Sequence, residues 1–372
     1  MKFARAWLLV VASVAVSAEI KAATVSFHGL GYLPGGDVES WAHGVSADGS
    51  VVVGWSRNVI GFNEAFLWTS ASGMQGLGSL GMMPNSSNAY GVSADGTVVV
   101  GEANGQAFRW TQVDGMSAYR NGLAAAVSPD GTVAVGYTAS LSVVGFEAAR
   151  WSPALTRLGD LPGGDFSSFA FEVSTGGDVV VGIGNVADGM SQAFKWEAGA
   201  MTGLGYLPGG AGLSSANDVT PDGRIIVGVS NVAAGREAFR WTADEGMVGL
   251  GDLSGGDHYS EATAVSADGS VVVGYGRHSS GFDEAFIWDA VNGMRDLREL
   301  LVMNGADLTG WQNLHVVDIS ADGQTVVGLG HHANGSREAW IATVPEPATG
   351  TIGAIAAAFF WLTKRRHRRV NR

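Results

Sequence analysis

The sequence predicts an all-β fold, a seven-bladed β-propeller of four-stranded antiparallel blades closed by its own N-terminal strand, and three observations lead there. The stretch Val45-Ser46-Ala47-Asp48-Gly49-Ser50-Val51-Val52-Val53-Gly54 returns in near copy at Val92, Val127, Val173, Val219, Val265 and Ile319. Each copy is followed by an aromatic run of the type Glu64-Ala65-Phe66-Leu67-Trp68, and most are preceded by a run of the type Gly29-Leu30-Gly31-Tyr32-Leu33. The chain opens on an isolated Gly-Leu-Gly run and finishes after an aromatic one, so its two ends together complete one unit. Repetition at about forty to fifty residues overrides length as a guide to domain number, and four short strands per unit suit a ring in which neighbouring blades bury each other's faces. Joining the ends removes two sheet edges.

Taken in order, each unit holds a first strand ending in Val-Ser, a hairpin, a second strand Val-Val-Val-Gly, a loop of variable length, the aromatic third strand and the Gly-Leu-Gly fourth strand. Ser-Ala-Asp-Gly reads as a three-residue hairpin loop. Pro129 and Pro221 suit the second position of a type I turn, Asp the third, and Gly the left-handed bulge position. Phe and Trp two apart share one face of a strand, so both are expected in the blade core. The units are uneven: Gly176-Gly177 replaces Asp-Gly in the fourth, and residues 295–313 form an enlarged connection whose Asp296-Leu297-Arg298-Glu299-Leu300-Leu301 predicts a helical turn or two.

The composition excludes several classes. With no Cys, neither a disulfide framework nor a thiolate metal site is possible. Gly is abundant, 56 residues against 9 Pro, but partners Val, Phe and Trp regularly, which is turn-rich β-structure rather than disorder. The formal net charge is −13, and because basic residues cluster at the two ends the body between them is more acidic still, so nucleic acid is not its partner. Lys2 and Arg5 precede an apolar run that closes on Val16-Ser17-Ala18, marking residues 1–23 as a signal peptide with a short leader. Residues 348–363 are apolar and are followed by Lys364-Arg365-Arg366-His367-Arg368-Arg369, a short transmembrane segment with a basic stop on its cytoplasmic side. The domains are therefore residues 1–23, the repeat body 24–343 and a tail 344–372.

Residues 29–68 and 249–288 carry Gly-Leu-Gly-x-Leu, Val-Ser-Ala-Asp-Gly-x-Val-Val-Val-Gly and Glu-Ala-Phe-x-Trp in succession, and in this the body resembles the HAF family of extracellular repeats. The tail resembles a PEP-CTERM sorting signal through Val344-Pro345-Glu346-Pro347, its apolar segment and its basic end. That resemblance implies recognition by an exosortase-type processing enzyme after transient anchoring in the inner membrane. It also implies delivery to the cell surface or extracellular matrix of a Gram-negative bacterium that makes exopolysaccharide. It implies no catalytic residue, no cofactor and no metal.

The Leu-Pro-Gly-Gly-Asp connections bring Asp37, Asp165 and Asp257 to one rim, with His258 beside the last and Ser40, Ser168, Ser214 and Ser260 at matching offsets. Asp and Ser there suit Ca²⁺ or sugar hydroxyls, but the same residues are ordinary turn chemistry that bonds its own backbone. The hairpin Asp residues do not spell a calcium loop. No nucleophile elbow, metalloprotease helix or phosphate loop occurs. The expected function is a non-catalytic binding or structural module associated with exopolysaccharide or biofilm matrix. The alternatives are a carbohydrate-active enzyme with a rim constellation such as Asp257, His258, His278 and Glu299, or a permanently membrane-anchored periplasmic scaffold.

Overall fold

The computed structural model describes residues 25–81, 85–141, 144–152, 154–278 and 281–345. Residues 1–23, Glu346, Pro347 and residues 348–372, which carry the expected signal and most of the expected sorting tail, lie outside them. No helix of the described residues is long and apolar enough to cross a membrane.

The described residues build antiparallel four-stranded sheets in chain order. The first is Ser40–Val45, Val51–Arg57, Asn63–Thr69 and Gly73–Gly76, each strand bonded to the next. Sheets two, three and four repeat this order over residues 87–121, 123–159 and 168–203. Sheets five and six, residues 214–249 and 255–296, are linked by one parallel bridge between Arg236 and Tyr259. Sheet seven is Trp311–Ile319, Thr325–His332 and Arg337–Thr343, and its fourth strand is the N-terminal Ser26–Gly29, which pairs antiparallel with Arg337–Thr343.

The core lies between sheets. Among the described residues each hydrophobic cluster is shared by two consecutive sheets: Val53 and Ala65 of sheet one meet Ala89, Val99 and Phe108 of sheet two, for example. Val327 and Ala339 of sheet seven meet Val45, Val52 and Phe66 of sheet one in the same way. The glycine closing Val-Val-Val-Gly follows from this packing. A Cβ on Gly101 would stand 2.0 Å from the Asn88 carbonyl and 2.8 Å from the Phe108 ring, so only Gly lets a bulged first strand and the aromatic strand both approach.

The hairpins differ from expectation by one residue. Ser46 N–H bonds the Val51 carbonyl and Gly49 N–H bonds the Ser46 carbonyl, so the loop between these strands is four residues, 47–50. Gly49 does take the left-handed conformation, at φ 73°. The additional residue is held by Asp48, whose Oδ1 accepts from Ser50 N–H, Ser50 Oγ and Ser46 Oγ, while Ser46 Oγ accepts from Val51 N–H. The hairpin Asp is thus turn chemistry.

The aromatic strand also divides differently. Phe66, Phe108, Phe194, Phe239 and Phe286 are fully buried, whereas Trp68, Trp110, Trp196, Trp241 and Trp288 are only half-buried. Period two gives both a common face, but the Trp lies farther from the bulge and stacks under a neighbouring cation in two sheets, Arg150 over Trp196 and Lys195 over Trp241. Helix Leu297–Met303 fills the enlarged connection. Asp296 caps it by accepting from Glu299 N–H, and Leu297 and Leu301 are buried between sheets six and seven.

Candidate functional site

The rim residues singled out in the sequence separate into roles. Ser40, Ser168, Ser214 and Ser260 are fully buried, not surface ligands. Each is a clip between sheets: Ser260 Oγ accepts from Ala238 N–H and donates to the Gly251 carbonyl, and Ser40 joins Ala339 N–H and the Gly31 carbonyl identically. Asp37, Asp165 and Asp257 are exposed and belong to different joints. Among the described residues no group of three His, Asp or Glu is placed to hold a metal ion. The connections are organised instead by Asp160 and Asp252, which accept from Ser167 N–H and Tyr259 N–H. Glu of the Glu-Ala-Phe run has a parallel task, since Glu237 and Glu338 accept from Gly251 N–H and Gly31 N–H. Of the sorting motif, Val344 is buried and donates its N–H to the Gln324 carbonyl, which makes it part of the body, not of an accessible tail.

Asp257 and His258 line a cavity of about 610 Å³ at the joint of sheets five and six, together with Arg236, Tyr259 and Arg277. His258 Nε2 is 3.0 Å from Glu237 Oε2 and its Nδ1 3.7 Å from Asp252 Oδ2. His278 and Glu299 do not line this cavity. His278 pairs with Gly255 in the sheet ladder and Glu299 sits in the helix, so the four-residue constellation does not assemble.

A second cavity, about 660 Å³, is lined by first strands and hairpins from all seven sheets. Every first strand carries a bulge over it, between Ala42 and Gly44 in sheet one and between Ala216 and Asp218 in sheet five. The bulge turns consecutive side chains toward the cavity. At these positions the repeats disagree: His43, Tyr90, Ala125, Phe171, Asn217, Thr263 and Val317 stand at one level, and Gly44, Gly91, Ala126, Glu172, Asp218, Ala264 and Asp318 at the next. Beside them the buried Ala changes only to Val316, and the clip Ser is kept in sheets one, two, four, five and six. One arc of the wall, from His43 through Tyr90 and Leu123 to Tyr137 and Phe171, is aromatic and apolar. The opposite arc, from Glu172 through Asn217, Asp218 and Glu261 to Asp318, is polar and acidic.

The acids are tied to backbone. Asp218 accepts from Val219 N–H and, across the joint, from Val265 N–H at 2.7 Å; Asp318 accepts from Ile319 N–H and from Val45 N–H at 2.8 Å. Burial, with Asp318 adding repulsion, pushes the Asp218 carboxyl up to about 8, and burial pushes Asp318 up to about 6. Burial and the charges of Asp218 and Asp318 raise Glu172 as well. Burial holds His43 down at about 4, so its imidazole is neutral at pH 7. The wall therefore offers apolar rings on one side and hydrogen-bonding carboxyls on the other, a surface for an amphipathic or hydroxylated ligand. Sequence reading missed Glu172, Asp218 and Asp318. The signal was present in the seven repeats written under one another, where these columns lack a consensus while the Val-Val-Val-Gly columns beside them keep one.

No family model and no curated protein matches this sequence. Among solved structures, the chain is similar to the β-propeller domain of the Trilobed protease from Pyrococcus furiosus, described as having an open velcro topology. The TM-score is 0.52 at 11% identity over 81% of this chain and 95% of that one. It is similar also to the acylaminoacyl peptidase of Pyrococcus horikoshii, at TM-score 0.50 and 12% identity over 86% of this chain but only 55% of the peptidase. At such identity the likeness is one of fold: an all-β architecture of mostly antiparallel four-stranded sheets with propeller neighbours.

Proposed function

We propose that the chain is a seven-bladed propeller, closed by residues 26–29 as the last strand of the seventh blade, and that it works as a non-catalytic binding or structural module at the cell surface or in the extracellular matrix. Closure is supported by the pairing of Ser26–Gly29 with Arg337–Thr343, by the core shared between sheets seven and one, and by Ala321 N–H bonding the Ala47 carbonyl between their hairpins. The observation that carries the binding role is the contrast within each first strand: the structural positions repeat, while the side chains facing the cavity differ from sheet to sheet. A wall built only to hold a ring together has no need of that variety.

The ends supply the address in this reading. A secretory signal in residues 1–23 and the Val344-Pro345-Glu346-Pro347 tail fit export, transient inner-membrane anchoring, release by an exosortase-type enzyme and association with exopolysaccharide. Intact-mass measurement of the protein recovered from the cell surface is expected to give a chain without the basic end, cut beyond the buried Val344; surface material still carrying Arg372 overturns the sorting claim. Incubating the purified body with exopolysaccharide from its own host is expected to give retention without new reducing ends. Release of reducing ends would make it an enzyme, and no retention would remove the polysaccharide partner.

A further inference from the structure

Two joints between sheets share a pair of arginines and differ in the carboxylate set between them. At the joint of sheets seven and one, Arg337 and Glu39 form a parallel bridge, and the Glu39 carboxylate lies between two guanidinium groups: Oε2 is 3.1 Å from Arg57 Nε and Oε1 is 3.4 Å from Arg337 Nη1. Each cation also covers a ring, Arg57 over Trp55 and Arg337 over Trp41. The joint of sheets five and six repeats the arginine pair, with Glu261 and Tyr275 where Trp41 and Trp55 stand. Arg236 stands where Arg337 does, one residue before the Glu-Ala-Phe or Glu-Ala-Trp run, Arg277 where Arg57 does, and the parallel bridge is Arg236 to Tyr259. Tyr259 thus occupies the place of Glu39, and the carboxylate is gone.

The two arginines respond differently to the loss. Arg277 turns to Asp283, Nε to Oδ1 at 2.7 Å, a partner its counterpart lacks because sheet one has Asn63 there, and it lies over the Tyr259 ring. Arg236 is exposed and enters no ion pair or side-chain hydrogen bond among the described residues. It faces the cavity of about 610 Å³, within the range of about 300–1,000 Å³ typical of small-ligand sites. The remaining wall is glycine backbone, short apolar side chains, and the polar groups of Asn231, Asp257, His258 and Tyr259. Such a wall has little to grip an apolar body but many hydrogen-bonding groups for hydroxyls. The exposed Asp257 can accept from sugar hydroxyls.

We propose that this cleft binds a carboxylated sugar, a uronic acid unit of an acidic polysaccharide, whose carboxylate pairs with Arg236 in the manner that Glu39 pairs with Arg337. The proposal deepens the polysaccharide-binding reading above by naming the sugar class and a second place of contact. Titration calorimetry of the body with oligogalacturonate and with a neutral gluco-oligosaccharide of equal length tests it. Oligogalacturonate is expected to bind and the neutral oligomer at least tenfold more weakly. A charge-assisted pair is worth about 1.5–3 kcal/mol, so Arg236→Gln should weaken oligogalacturonate by roughly 10- to 100-fold. Tyr259→Glu should do the same by restoring the internal carboxylate, and Arg337→Gln should leave binding unchanged. Equal affinity for the neutral oligomer, no oligogalacturonate binding, or tight binding by Arg236→Gln overturns the proposal. Retention of host exopolysaccharide unaffected by these variants would sink the cleft while leaving the general binding reading intact.

Discussion

The hairpin tips and the cavity wall sit a few residues apart on the same strands, yet one region repeats and the other does not. At the tips, Ser46 and Asp48, Ser93 and Asp95, Ser128 and Asp130, and Ser266 and Asp268 make the same hydrogen bonds with the same partners. Two or three residues earlier, one sheet offers His43, another Phe171, another Asp218. A four-residue hairpin has few ways to satisfy its backbone, so Ser or Thr with Asp recurs in six of the seven, and Gly176-Gly177 closes the fourth with the same backbone bonds. At the wall some side chains, Asp218 and Asp318 among them, answer backbone N–H groups, and the differences from sheet to sheet are free to serve a ligand.

The same comparison ranks the perturbations. The largest is removal of residues 25–33, which takes the outer strand from sheet seven and Leu30 and Leu33 from the core between sheets seven and one. Loss of cooperative melting, or aggregation, is expected in thermal unfolding. A parent-like transition would mean that the packing of sheets seven and one does not depend on strand 26–29. Next is the clip: Ser260→Ala strands Ala238 N–H and the Gly251 carbonyl in the core and should cost about 1–3 kcal/mol by denaturant unfolding. A neutral result would remove the clip from the account of how sheets are joined.

Smaller, and dependent on pH, is Asp218→Asn. An acid whose folded pKa is raised from 3.8 to about 8 does not weaken the fold below 3.8. It weakens the fold progressively as pH rises between those values, and fully above the upper one. The variant should therefore gain on the parent as pH rises from 4 to 8, against a pH-independent cost for the one N–H that an amide, with a single acceptor oxygen, leaves unpaired. The hairpin acids run the other way. Their neighbouring Ser and Thr hydroxyls and N–H groups hold Asp48, Asp95 and Asp130 below the usual carboxylate range, so their contribution is present at neutral pH and lost as pH falls through those lowered values. A gain from Asp218→Asn that was independent of pH would contradict this assignment.

Much of the fold was legible because period-two burial and turn chemistry are written locally: the strands, the left-handed Gly49 and the strand-completing role of residues 26–29 all follow from short runs. What escaped was set between units. Ser40 and Ser260 looked like rim ligands because their bonding partners lie on the preceding sheet. Pro129 and Pro221 read as turn formers, which they are. They also lack the N–H that links one hairpin to the next carbonyl, as Ala47 does to Ala94, and so each forfeits one such link. Glu172, Asp218 and Asp318 were invisible because a bulge, not the alternation of the strand, decides that they face the cavity.

The central claim is that the positions which differ between repeats bind, while those which repeat only hold the sheets together. Retention of host exopolysaccharide on immobilised protein tests it with two double variants that should both keep the parental melting curve to within a few degrees. Tyr90→Ala with Phe171→Ala alters the aromatic arc of the wall, and Asp95→Asn with Asp268→Asn alters two hairpin tips. The account predicts that retention falls at least tenfold in the first and is unchanged in the second. Unchanged retention in the first with loss in the second would contradict it.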